Sequence, residues 1–428
     1  MKQNSILWPL CAVMASVMFS AAPATADEHS KAPKLTHTTV LSGLENPWDM
    51  AFLPDGTMFF TEKCKGLSVR LPSDDVNKLL GMKDSEGYPS TGDDLFCEGQ
   101  AGMQGVAIDP KFDENRLIYV YSTSSNPSPG VNRVMRLKVN DDFSNVSDRT
   151  DIVDDIPYKP KATDHPFGGP GAHNGGRLRW NPGDGYLYVT TGDTHNSEVP
   201  QSPTKIGGKV LRIDRDGEPA EGNKAPDGFD PRIYTYGHRN PQGIAFRPGT
   251  NQPVTAEHGP WHSDEITSLV NGGNAGWDPR PNMAGRSDCP DDYCGYMPNQ
   301  MEGVDPKERS KFMSMTDTKT YPDAMKPAWV NNQKSQGTSS AAFLTGEQWG
   351  PWDGRLVVGV MGIGFGGTPV GQRIDVIELS EDGKSAKEVV TMSLPMAAGR
   401  FRSVVQGPDG SLYAAVDEGD IHKLTPKK

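Results

Sequence analysis

Apolar residues in this chain come in short runs, and six of the runs share one layout. A turn built from Pro, Asp and Gly comes first, and an apolar segment of strand length follows. The six are PDGTMFFTE from Pro54, DPKFDENRLIYVYS around Pro110, NPGDGYLYVTTGD around Pro182, RPGTNQPVTAEHG around Pro248, GPWDGRLVVGVMG around Pro351 and GPDGSLYAAVDEGD around Pro408. Turn-plus-strand units at such spacing predict an all-β fold, a six-bladed β-propeller of four-stranded antiparallel blades. Helical periodicity is thin. Asp75–Lys83 and Pro306–Met313 are the segments that suggest short helices. The widest interval, between Pro248 and Pro351, holds an inserted loop region at about 279–334, rich in Asn, Pro, Gly and Met.

Composition agrees with many short strands. The 428 residues include 48 Gly and 36 Pro, which favours turns over long helices. The net charge is −12 and there is no basic run, so nucleic acid and anionic membranes are not expected partners. Residues 1–26 read as a signal peptide. Lys2 gives the positive start, Ile6–Ala22 is apolar but interrupted by Pro9, and Ala24-Thr25-Ala26 is a small-x-small cleavage site. Residues 27–428 then form a single domain, periplasmic or secreted, with no membrane span. The four cysteines after the signal fall as two candidate pairs, Cys64 with Cys97 and Cys289 with Cys294. In an exported chain, such an even count suggests disulfides.

Most motifs have bland explanations. Gly362–Gly367 matches G-x-G-x-x-G, but a strand (Arg373–Leu379) follows where a dinucleotide site needs a helix. Asp214-Arg-Asp-Gly217 resembles a calcium-loop start without the later ligands and reads as a hairpin turn. The stretch Tyr234–Trp277 is more informative. Arg239 and Asn240 sit in a Gly-His-Arg-Asn-Pro turn. Glu257-His258-Gly259-Pro260 ends an extended run, and its turn exposes backbone carbonyls, which are hard oxygen ligands suited to Ca²⁺. His173 stands at the start of a blade's inner strand, where an imidazole serves as a general base near neutral pH. Gln100 starts another blade in the same way. Arg400 and Arg402 share one strand face, and with Arg239 they would suit a polycarboxylate.

Together these residues are recognisable. The chain resembles the soluble pyrroloquinoline-quinone (PQQ) dependent sugar dehydrogenases, the glucose/aldose/sorbosone dehydrogenase family. The matching runs are GLENPWDMAFLPDG, GQAGMQGVAIDPKF, HNGGRLRWNPGDGYLYVTTGD, IGGKVLRIDRDG, YGHRNPQGIAFRP, EHGPWHSDEI with GGNAGW, and RFRSVVQGPDGSLY. The resemblance implies PQQ and Ca²⁺ as cofactors and His173 as the base. It implies that Gln100, Arg239, Asn240, Arg400 and Arg402 hold the quinone. The carbonyls of Gly259 and Pro260 would hold the catalytic Ca²⁺. Asp264, Glu265 and the carbonyl of Ala275 would hold a second, structural Ca²⁺. The chain departs from the glucose-oxidising members at three points. Ala172 stands where an Asp precedes the base, Ala275 replaces a tyrosine, and the fifth-blade strand VVGVMGIG lacks a lysine.

The implied function is oxidation of a sugar, aldose to lactone, with electrons passed to an external acceptor such as a small quinone or a redox protein. Two rival functions remain at this stage. One is a calcium-dependent lactonase-type hydrolase, which would chelate the metal with Asp, Asn and Glu side chains in the axial tunnel. The other is a non-catalytic binding propeller.

Overall fold

Each of the six Pro/Gly turns joins the first strand of a sheet to its second. The computed structural model describes residues 32–160, 169–260, 262–280, 313–331, 334–362 and 371–427. The chain enters on strand β1 (Leu35–Leu41). Blade one is β2 (Pro47–Phe52), β3 (Met58–Glu62), β4 (Gly66–Arg70) and β5 (Val76–Gly81). Blade two is β6 (Met103–Ile108), β7 (Leu117–Ser124), β8 (Val131–Val139) and β9 (Val146–Ile156), with a one-turn helix at Phe112–Asn115. Blade three is β10 (Gly175–Trp180), β11 (Leu187–Thr191), β12 (Lys209–Ile213) and β13 (Ile233–Tyr236). Blade four is β14 (Pro241–Phe246), β15 (Pro253–Glu257), β16 (Glu265–Ser268) and β17 (Trp329–Val330). Blade five is β18 (Thr338–Phe343), β19 (Leu356–Val360), β20 (Arg373–Leu379) and β21 (Ala386–Thr391). Blade six is β22 (Phe401–Gln406), β23 (Leu412–Val416) and β24 (Asp420–Pro426).

The first strands pack on one another in a ring, β2 on β6, β6 on β10, and so on until β22 meets β2. They therefore line the axis. Blade six lacks a fourth strand of its own. β1 supplies it by pairing antiparallel with β24, Leu35 opposite Pro426. That pairing closes the ring and removes two exposed sheet edges.

The second strands are not half-exposed as alternation would suggest. β3, β11 and β19 are buried at every position, because each blade is sandwiched between two neighbours. The core accordingly lies between blades. Leu67 and Val69 of blade one, for example, pack in one cluster with Val106, Val120 and Met135 of blade two.

Between the inner strands the axis is plugged by an ion pair. Arg177 on β10 reaches Asp49 on β2 at 2.5 Å. Its guanidinium also donates to Gln242 O, Ser403 Oγ and Arg402 O and stacks over Trp48 at 4.2 Å. Arg179 holds the other side of Asp49 at 2.8 Å. Blades one, three, four and six are thus tied together by one buried cation.

Residues 75–83 are not helical. Val76–Gly81 is the outer strand β5, because β4 offers it a free edge, Gly66 opposite Gly81. Pro306–Met313 lies outside the described residues apart from Met313. The region set aside as an insertion contributes β17, the outer strand of blade four, so it is part of the propeller at its C-terminal end. The signal segment, the Cys289/Cys294 pair and Ile363–Gly367 also lie outside the described residues. Cys64 and Cys97 form a disulfide, and Asp214–Gly217 is a turn in which Gly217 N–H meets Asp214 O.

Candidate active site

The site residues sit at one end of the strands because of a shared register. In each blade the first strand begins where the second ends: Gly175 lies opposite Thr191, Pro241 opposite Glu257, Phe401 opposite Val416. Residues just before a first strand and just after a second strand therefore meet at the same mouth. His173, Arg239, Asn240 and Arg400 belong to the first kind. Asp193, His258, Gly259 and Asp417 belong to the second.

His173 is 6% exposed, and its Nδ1 lies 2.6 Å from Asp193 Oδ1. The carboxylate also accepts from the backbone N–H of His195 at 2.8 Å and from Trp277 Nε1 at 2.9 Å. Burial pushes the Asp193 carboxyl above its ordinary value, and Arg239, His195 and the Trp277 donor oppose that. The N–H groups of His195 and Trp277 each need one of its oxygens as an acceptor. Nδ1 of His173 then carries the hydrogen, and Nε2 keeps a lone pair. Burial holds the imidazole pKa well below its ordinary value, and Arg239, His258 and Lys159 add to the effect. The ring is neutral at neutral pH.

The backbone here is unusual. His173, Thr194 and His195 all have left-handed φ, at 55°, 53° and 59°. Such strain persists only where neighbours over-determine it. The neighbours are visible: Asn174 O accepts from Tyr121 Oη at 2.9 Å, and Asp193 N–H donates to Arg239 O at 2.7 Å. Gly192 permits the close approach, since a Cβ there would fall 1.9 Å from His173 O. The ring of His195 packs edge-on against His173, centroids 5.0 Å apart.

Arg239 is 6% exposed. Its backbone N–H and that of Asn240 both donate to Glu257 Oε1, and Glu257 Oε2 meets His238 Nδ1 at 2.8 Å. The guanidinium reaches His258 O at 2.7 Å. Asn240 Oδ1 accepts from Gly175 N–H at 3.0 Å, which ties blade four to the loop of the base. In blade six, Arg400 and Arg402 converge on Asp417: Arg400 Nε at 3.1 Å, Arg402 Nε and Nη2 each at 2.8 Å. Arg402 Nη1 extends to Gln242 Oε1 at 3.2 Å. Burial lowers the pKa of His258, and Arg239, Arg402 and Arg400 all push it further down, to about 4, against Asp264. All three guanidinium groups therefore act on one point of the mouth. Gln100 joins from blade two, its Oε1 facing His173 N–H at 3.4 Å.

The expected metal positions divide. Gly259 donates its N–H to Asp264 Oδ1 at 2.9 Å, and its carbonyl accepts no backbone hydrogen bond among the described residues. Pro260 follows it in the same buried turn. Asp264 is already engaged. Besides Gly259 it accepts from Ser335 Oγ at 2.5 Å and Gln336 N–H at 2.8 Å. Its side chain holds the turn. Glu265 is buried and pairs across the sheet with Glu257. Burial raises its pKa well above the usual value, helped by the Glu257 charge. Thr316 Oγ1 lies 3.0 Å from it, and the same short segment reaches Gly276, beside Ala275, through Asp317 N–H. Among the described residues, no three His, Cys, Asp or Glu side chains group as a metal site.

Asp193, His195 and Trp277 were not singled out from sequence. The one available clue was that Asp193 lies just past a second strand, as Asp417 does.

The family profile described as Glucose / Sorbosone dehydrogenase matches residues 44–288 and 294–424. The aldose sugar dehydrogenase YliI of Escherichia coli is 27% identical over 431 residues, covering 100% of this chain and 99% of that protein. Quinoprotein glucose dehydrogenase B of Acinetobacter calcoaceticus is 30% identical over 298 residues, 63% of this chain and 58% of that protein. Among solved structures, a glucose-dehydrogenase-type oxidoreductase from Thermus thermophilus is 28% identical with a TM-score of 0.66, over 91% of this chain and 100% of that one. The PQQ-bound aldose sugar dehydrogenase of Streptomyces coelicolor shares the fold at 22% identity and a TM-score of 0.65, over 92% and 100% of the two chains.

Proposed function

Because the chain belongs to the glucose/sorbosone dehydrogenase family, we propose that it oxidises a sugar with PQQ and Ca²⁺ bound at this mouth. The observation that carries the proposal is the neutral His173, held by Asp193, beside the converging guanidinium groups of Arg239, Arg400 and Arg402. PQQ is a tricarboxylate, and when bound with Ca²⁺ as Lewis acid it supplies an ortho-quinone that accepts hydride.

The residues fit that group. Arg400 and Arg402 share the carboxylate of Asp417, so two guanidinium groups are held side by side at the mouth, where an anion can meet both. Asn240 Nδ2 is buried and forms no hydrogen bond among the described residues, so a polar donor stands ready for the ligand. The carbonyls of Gly259 and Pro260 would hold the cation beside it. Glu265 and Ala275 would hold a second cation, with Asp264 bracing the turn between.

His173 does the acid–base work. Its Nε2 takes the proton of the sugar hydroxyl as the C–H bond gives up hydride, and the lactone leaves. Asp193 stabilises the imidazolium that forms, which passes its proton to water afterwards. General-base help of this kind is typically worth about 10²–10⁴-fold in rate. The departure at Ala172 is answered by Asp193: orientation of the base comes from the facing strand end rather than from the preceding residue.

The lactonase alternative fits less well. The axial carboxylate, Asp49, is consumed by Arg177 and Arg179. No helix among the described residues is long and apolar enough to cross a membrane. The enzyme is exported, periplasmic or secreted, on the strength of the signal-like residues 1–26, and hands electrons to an external small quinone or redox protein. The test is purified protein supplied with PQQ and Ca²⁺, then a panel of sugars with a reducible dye. Sugar-dependent dye reduction only in the presence of PQQ is expected. Turnover of a lactone without quinone, or no turnover at all, would refute the proposal.

A further inference from the structure

Blade one carries a cation at the mouth that belongs to neither the base nor the arginine set. Pro47 lies opposite Glu62, the same register as Pro241 opposite Glu257 and Phe401 opposite Val416. The next residues in the three blades are Lys63, His258 and Asp417. His258 supports Arg239, and Asp417 supports Arg400 and Arg402. Lys63 holds the equivalent place in blade one, which packs directly against blade six through β2 and β22.

The lysine is fixed in that place. Its N–H donates to Asn46 O at 3.1 Å, and its carbonyl accepts from Met103 N–H at 2.9 Å. Its neighbour Cys64 is bonded to Cys97. Its ammonium donates to Gly99 O at 2.8 Å, one residue before Gln100. A Cβ on Gly102 would fall 2.3 Å from Lys63 O, so glycine is needed for the blades to close here. Burial lowers the lysine's pKa, the charge of Arg402 lowers it further, and Asp417 and then Glu45 oppose both. Glu45 is itself paired with Lys65 at 3.1 Å. Asp417 is shared by Arg400 and Arg402, Glu418 accepts from Arg400 N–H at 2.9 Å, and the Lys63 ammonium is held by a backbone carbonyl. A cation fixed at the mouth by a neutral acceptor keeps its charge for a ligand that brings its own.

Resting on the quinone proposal above, we propose that Lys63 is a further carboxylate-binding residue for the PQQ anion, delivered by blade one on the side opposite Arg239. The Cys64–Cys97 bond clamps its turn to the loop of Gln100.

The test uses the apo form of the whole protein, titrated calorimetrically with PQQ in Ca²⁺ buffer. Lys63→Met is expected to weaken PQQ binding about tenfold and to flatten its salt dependence. Lys63→Arg should bind within about threefold of wild type, since it keeps the charge. The apo unfolding midpoint should stay the same in both variants. Wild-type affinity in Lys63→Met overturns this inference alone. Equal losses in both variants with a lowered apo midpoint would make Lys63 a strut for Gly99, and that also overturns it. If the wild-type protein takes up no PQQ, the cofactor proposal falls and this inference falls with it.

Discussion

Nδ1 of His173 lies 2.6 Å from Oδ1 of Asp193, across twenty residues of chain. The contact sets which imidazole nitrogen carries the hydrogen. Asp193→Asn removes the charge and puts an amide NH₂ in place of one oxygen; turned toward His173, that donor stabilises the tautomer with its hydrogen on Nε2. We expect kcat to fall by about 10²–10⁴-fold, with PQQ affinity unchanged by calorimetry. Near-normal kcat in that variant would show that the carboxylate does not orient the base.

The pH profile follows from the same pair. His173 is depressed well below 6.5 by burial, Arg239, His258 and Lys159. A base works only while unprotonated, so the acid limb of kcat/KM should lie below pH 6.5 and activity should persist through mildly acidic buffer. Stability runs the other way. His195 is depressed too, by burial and then by His173. Below about 6.5 the unfolded chain binds protons at both rings that the folded protein refuses. Stability is therefore full above that pH and is lost as pH falls toward the folded values. Chemical denaturation at pH 5 and pH 7.5 would check the sign. His195→Gln should lessen the difference.

The axial plug is a stability device. Burial opposes ionisation of Asp49, and Arg177 and Arg179 outweigh it. Arg177→Met strips one partner from a fully buried carboxylate and empties the stack over Trp48. A loss of about 3–5 kcal/mol is expected, measured by denaturant unfolding. Adding Asp49→Asn should recover part of that loss. An additive double mutant would mean the two groups do not interact.

Ligand linkage offers a test without turnover. Arg239, Arg400 and Arg402 come together only in the folded protein, so PQQ bound there with Ca²⁺ should raise the thermal midpoint. The gain should approach about 2.7 kcal/mol at a hundredfold excess over Kd. Arg239→Gln should reduce the shift markedly, and chelating Ca²⁺ should reduce it as well. A midpoint that ignores PQQ in the wild-type protein would count against the arginine set as its site.

Much of the architecture was legible in the chain because it is local. A Pro/Gly turn and the short apolar run after it are neighbours in sequence, so Pro54, Pro110, Pro182, Pro248, Pro351 and Pro408 each announced one hairpin of one blade. His173, Arg239 and Arg400 were legible as residues placed just ahead of strands. What only the tertiary structure decided lies between hairpins. β1 closing on β24, Asp193 meeting His173, Arg177 spanning to Asp49 and Lys63 reaching Gly99 all join positions with no common period. Each blade is a separate local solution, and it is the radial closure of six such sheets that brings their strand ends to one mouth. The physical reason is that side-chain periodicity reports which face of a strand is buried, while the partner across the axis is set by how the blades pack.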